Sequence, residues 1–169
     1  MAGANVVPNQ DSVVCETDIA APPERVFAAL TDPQQLLLWW GKEPSAELSV
    51  FEMDARPGGR WHFRWKPVAG VDHGAVGEQL RRNCMEQFEA HGKILEYVPP
   101  RLLVWSWIAN WHEHPTAPTL VRWELSRTAT GTHVRVTHSQ LAKVPIACRD
   151  YKQGWVGVLH LLRSFSEKR

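Results

Sequence analysis

Residues 146–169, IACRDYKQGWVGVLHLLRSFSEKR, limit the fold more than any other stretch of the chain. Cys148, Tyr151, Trp155, Leu159, Leu162 and Phe165 recur at steps of three and four, which places them on one side of a helix of about five to six turns. Arg149, Lys152, His160, Arg163 and Glu167 fall on the other side. A helix with one wet face and one heavily apolar face needs a broad partner, and most of the preceding chain alternates with the period of a strand. The pattern therefore predicts a curved antiparallel sheet wrapped around this helix. Gly154 and Gly157 stand beside Trp155, and each weakens a helix by about 1 kcal/mol relative to alanine. Such a weakness implies either close backbone approach or room left for another molecule.

Residues 1–10 read as a mobile leader and residues 11–169 as one domain. A first strand over 12–20 ends at Pro22 and Pro23, which suit the start of a short helix whose apolar side is Val26, Phe27 and Leu30. A second short helix follows, with Asp32 as N-cap, Pro33 as first residue, Gln35 at capping-box spacing, an apolar run to Trp40 and a stop at Gly41. Six more strands are predicted over 47–54, 60–66, 85–98, 103–111, 119–127 and 132–140, with a kink or bulge at His91-Gly92. Between the third and fourth strands, residues 68–84 form a long connection with a helical turn near 77–82.

A net charge of +1 with no block of like charge argues against a nucleic-acid groove or an anionic-membrane patch. Cys15, Cys84 and Cys148 are odd in number and lack metal or CxxC spacing, so reduced thiols and a cytoplasmic location are expected. The start, MAGANVVPNQD, has neither a basic region nor an apolar run, and no signal peptide is expected. No apolar stretch approaches the roughly 20 residues that span a bilayer. What stands out is nine tryptophans against two tyrosines and five phenylalanines. Each indole is bulky and carries an N–H that needs a partner when buried, so nine exceed what packing alone requires.

Five segments in order, APPERVFAALTDPQQLLLWWG, RPGGRWHFRW, PPRLLVWSW, GTHVRVTHSQL and KQGWVGVLHLL, resemble successive signatures of the START/SRPBCC superfamily. Within it the chain is most similar to the branch named after the activator of heat-shock-protein ATPase homologue. The resemblance implies an α+β helix-grip fold: a curved seven-stranded antiparallel sheet gripping a long C-terminal helix, with two short helices after the first strand. It also implies an apolar cavity between sheet and helix. Relatives include plain binders, polyketide aromatase/cyclases, enediyne self-resistance proteins and co-chaperone domains, so the fold fixes the container and not its content. The tryptophan load and the long connection depart from plainer members, and both concern the cavity and its entrance.

Strand alternation puts Trp61, Phe63, Trp65, Trp105, Trp107, Trp123 and Val136 on the inward face, opposite Trp155 and Leu159 of the helix, with Trp40 at the end of the second short helix. These are the candidate ligand-binding residues, and the alternative is that the rings fill the core themselves. His138, also inward, is the one candidate acid or base, weighed against a satisfied core histidine. No activated nucleophile is visible. The run His112, Glu113, His114 lacks HExxH spacing and reads as an exposed turn before Pro115, so no metal is expected. Gly70, Gly74 and Gly77 lack the Lys-Ser/Thr of a phosphate loop, and no cofactor is expected. Arg122 and Glu124 read as a solvated face.

Three functions are weighed from these residues and from what the resemblance implies. The first is binding of a small hydrophobic, aromatic or polyketide-like molecule in a tryptophan-lined cavity. The second is a cyclase, dehydratase or hydrolase-type enzyme using His138 with Asp72 or Glu78 as proton carriers. The third, from the resemblance alone, is a module that stimulates a chaperone ATPase. A homodimer is left open. The door to the cavity is expected at residues 39–41 and 68–84.

Overall fold

Alternation does produce strands here, and they join into one continuous antiparallel sheet. The computed structural model describes residues 3–6, 11–43 and 46–168. Its elements are β1 (Gly3–Val6), β2 (Ser12–Ile19), α1 (Pro23–Thr31), α2 (Pro33–Trp39), β3 (Lys42–Glu43), β4 (Ala46–Met53), β5 (Arg60–Pro67), α3 (Gly74–Arg82), β6 (Phe88–Val98), β7 (Leu102–Ala109), β8 (Thr119–Arg127), β9 (Thr132–Ser139), a 3-10 turn (Leu141–Lys143) and α4 (Pro145–Ser166). The spatial order is β1-β2-β9-β8-β7-β6-β5-β4-β3. All seven expected strands are present, and two short strands, β1 and β3, extend the edges. Of the expected leader, Gly3–Val6 pairs with β2, and residues 1–2 and 7–10 lie outside the described residues.

The inward face is as the alternation places it. Trp123 pairs with Val136 and Val121 with His138, all four completely buried, while Arg122 on the outer face reaches Glu124 (3.2 Å) and Glu96 (3.4 Å). The expected kink at His91-Gly92 moves. Register holds through Gly92 and shifts at Leu95, between Ile94 and Glu96. Gly92 serves close approach instead: a Cβ there would lie 1.8 Å from the Ser106 carbonyl oxygen, which accepts the Trp61 indole N–H at 3.1 Å.

Capping decides where the short helices stop. The Asp32 carboxylate accepts the Gln34 backbone N–H at 2.9 Å and the Gln35 side-chain amide at 3.0 Å. Gly41 turns the chain at φ +72°, where a Cβ would also strike Leu48 Cβ at 2.7 Å. The turn expected near 77–82 is the longer helix α3, whose Val76 and Leu80 face inward.

The helix α4 is pinned at both ends. At its start Glu113 Oε1 accepts the Ile146 N–H at 2.6 Å, a carboxylate at the positive end of the helix. At its end Arg25 Nε donates to the Ser166 carbonyl at 2.6 Å and a second Arg25 nitrogen to that of Lys168, while Ala20 N–H donates to Glu167 Oε1 at 2.9 Å. The His112–His114 segment is the turn expected, but it is exposed only at His114: His112 is completely buried and Glu113 caps a helix. Among the described residues no helix is long and apolar enough to cross a membrane, and no group of three or more His, Cys, Asp or Glu is placed to hold a metal.

Candidate functional site

Half of the aromatic face is closed by a single residue at the end of α2. Trp40, just past that helix, turns its ring into the grip, 5.1 Å from Phe63, 6.4 Å from Trp105, 6.5 Å from Trp123 and 6.2 Å from Trp155 between centroids. Trp123 meets Trp105 (6.5 Å) and Trp155 (5.5 Å) edge to face, the arrangement that ring quadrupoles favour. Trp61, Phe63, Trp105 and Trp123 are at most 1% exposed. These four, with Val136 and Leu159, form packed core, which corrects the expectation that they line a cavity. The physical reason is Trp40, whose indole occupies the space they would have enclosed.

On the other side of Trp40 a cleft of about 640 Å³ opens between α4, the start of α3 and strands β5 to β7. Five tryptophans line it: Trp40, Trp65, Trp107, Trp111 and Trp155. Phe88 and Tyr151 complete the aromatic surface, and Asp72, His73, Asp150 and Gln153 supply the polar groups. Gly154 and Gly157 form part of the wall, and a Cβ on Gly154 would meet nothing within 4 Å. Of the two readings of these glycines, room for another molecule is the one the geometry of Gly154 supports.

Trp40, Trp65, Trp107 and Trp155 are therefore brought together on the cleft, as is Asp72 from the connection. Glu78 is not: it lies 3.8 Å from Arg82 on the outer side of α3. Sequence reasoning missed Trp111, Phe88, Tyr151, His73 and Asp150. Trp111 and Tyr151 carried a signal, since both continue apolar faces that also bear cleft residues. Asp150, flanking the helical stripe, carried none.

Behind the cleft wall lies a buried polar network. Tyr151 oxygen accepts the Trp107 indole N–H at 3.0 Å and lies 2.7 Å from His112 Nε2. If the phenol donates to Nε2, only His112 Nδ1 remains without a partner, whereas the reverse tautomer would strand the phenol proton as well. The first arrangement is favoured. His138 Nδ1 accepts from the Trp155 indole at 3.2 Å, so its proton sits on Nε2 and is donated to Thr119 Oγ1 at 2.7 Å, which donates on to the Trp107 carbonyl at 3.0 Å. Every polar atom of that ring is satisfied. His138 is a core histidine and does not line the cleft, contrary to the expected acid/base role.

Burial sets the ionisation of this network. It holds His138 well below the usual histidine value, with His112 adding repulsion, lowers His112 to about 4, and raises Tyr151 well above 10. Asp150 is reached by solvent but sits inside a concave wall, where lost hydration raises its carboxyl and nearby His73 pulls it back.

The profile of the family described as activator of Hsp90 ATPase homolog 1-like protein matches residues 20–167. Among solved structures, protein CV1439 from Chromobacterium violaceum is 20% identical at TM-score 0.73, covering 94% of this chain and 99% of its own. Protein Ms6760 from Mycobacterium smegmatis is 16% identical at TM-score 0.75, covering 97% and 96%. The AHSA1-like protein from Aeromonas hydrophila is 18% identical at TM-score 0.66, covering 92% of each chain. At these identities the likeness is one of fold. No curated protein matches the chain.

Proposed function

The chain belongs to the family of activator of Hsp90 ATPase homolog 1-like proteins, within the START/SRPBCC superfamily, and on that premise we propose that it binds a small hydrophobic molecule with a flat or polyene-like, polyketide-type body. The fold has a buried aromatic-rich interior compatible with such binding. One observation carries the proposal: a cleft of about 640 Å³ walled by five tryptophans, at the place where α4 presents glycine instead of a side chain. A pocket of that size buries most of a drug-sized molecule, and aromatic walls contribute large contact area with little loss of side-chain freedom. Acid/base catalysis by His138 draws no support from the geometry, because both ring nitrogens are engaged inside the core.

The test uses the neutral dye N-phenyl-1-naphthylamine, whose binding should raise its own emission and quench tryptophan. Gly154→Leu, which fills the cleft, and Trp65→Ala, which removes a half-buried wall, should each weaken binding about tenfold or more while leaving the far core intact. No binding to the unmodified chain, or full binding by both variants, would overturn the proposal.

A further inference from the structure

We propose that the cleft selects organic cations: an amine or quaternary ammonium group carried on a flat apolar body. This rests on the cleft being the ligand site and adds the charge of what it takes. Two independent features of the wall point the same way. The charged side chains lining the cleft are Asp72 and Asp150, with no lysine or arginine among the described lining residues. Asp150 makes no hydrogen bond or close ion pair among the described residues, only the longer-range attraction of His73 on the same wall, and Asp72 uses one oxygen, Oδ1, on the Gly74 N–H at 2.8 Å. Both carboxylates keep acceptor capacity that a cation would use.

The second feature is the direction of the indole N–H groups. Trp107 donates to Tyr151 and Trp155 to His138, so two of the five wall tryptophans direct their donors into the core network. Tyr151 in turn directs its proton to His112. These two rings therefore offer no donor to a carboxylate or phosphate, and what they turn to the cleft is electron-rich ring surface. Such a surface attracts cations, tryptophan most strongly of the aromatic side chains. An aromatic wall with unpaired carboxylates at its edge is complementary to a positive head on an apolar body and repels an anion. A purely apolar pocket would rank ligands the other way, since a cation gives up hydration on entering it.

Titration calorimetry of the full chain with three probes on one naphthalene skeleton separates these outcomes: (1-naphthylmethyl)trimethylammonium, the neutral isostere 1-neopentylnaphthalene, and 1-naphthaleneacetate. The cation is expected to bind at least tenfold tighter than the neutral isostere, a difference of about 1.4 kcal/mol, with the anion weakest. Asp150→Asn should weaken the cation about fivefold and leave the neutral probe unchanged. Neutral and cation binding alike, or a cation unaffected by Asp150→Asn combined with Asp72→Asn, would overturn the cation preference while leaving the cleft as a hydrophobic site. Failure of all three probes to bind would overturn the cleft reading as well.

Discussion

One aromatic face, two outcomes: β7 sends Trp105 into the packed half of the grip and Trp107, two residues on, to the wall of the cleft. Both are tryptophans on the same side of the same strand, and both are nearly inaccessible. What differs is the element opposite. Over Trp105 and Trp123 lies Trp40, with Trp155 edge-on to Trp123, and the rings close on one another. Over Trp65 and Trp111 lie Gly154 of α4 and the start of α3, and a cleft remains. Whether an aromatic strand residue is core or binding wall is thus decided by what faces it, a ring such as Trp40 or a glycine such as Gly154.

The largest effect should come from removing a ring on each side of Trp40. Trp123→Ala opens a hole among rings that cannot collapse into it, and a loss of about 3–5 kcal/mol is expected. Trp65→Ala, where the side chain is only half-buried, should lose less than about 2 kcal/mol and instead weaken ligand binding. Urea unfolding with an unchanged slope measures both. Equal losses would erase the distinction between the two halves.

Acid should weaken the seam where the halves meet. His112 and His138 bond to Tyr151 and Trp155, residues that also line the cleft. Burial lowers His112 from the ordinary 6.5 to about 4, so the folded state prefers the neutral ring. Its contribution is complete above pH 6.5 and disappears as pH falls toward 4, because the unfolded chain binds that proton first. The loss amounts to about 3 kcal/mol, and His138, shifted the same way, adds to it. Unfolding free energies at pH 7.5 and 4.5 should show the fall, and His112→Gln should flatten it. An unchanged slope in that variant would mean that other groups carry the acid sensitivity.

Most of the fold was legible because it rests on local periodicity. Alternation located all seven main strands, the steps of three and four located α4, and Asp32 with Gly41 bounded α2. The short edge strands were not legible, since two to four residues carry no period. The site was read only in part. Periodicity assigns a residue to a face but cannot say what arrives from elsewhere to cover it, so Trp61, Phe63, Trp105 and Trp123 were placed on a wall that Trp40 turns into core. The roles of His112 and Glu113 depend on α4 returning past them, 39 and 33 residues on, and no local signal encodes that. Nor could the sequence separate the glycines of the connection: Gly77 is packed in α3, its added Cβ falling 2.7 Å from His73 Cβ, whereas Gly70 and Gly74 sit at φ +80° and +57° with open space beside them.

The smallest expected effect is also the sharpest test, because its sign depends on which half of the molecule receives the change. In the packed half an added methyl group displaces neighbours and costs about 1–3 kcal/mol. Gly154 is helical, and a Cβ there meets nothing within 4 Å, so Gly154→Ala encounters no such penalty. It gains what alanine gains over glycine within a helix, through the lower conformational entropy of the unfolded chain, about 0.5–1 kcal/mol. The same methyl points into the cleft and removes a little of its volume. Higher stability with slightly weaker dye binding is therefore expected, read from the urea midpoint and the N-phenyl-1-naphthylamine titration. A lowered midpoint would mean that this stretch of α4 is closely packed in solution. The glycine would then serve backbone approach, and the space beside Trp155 would not be available to a ligand.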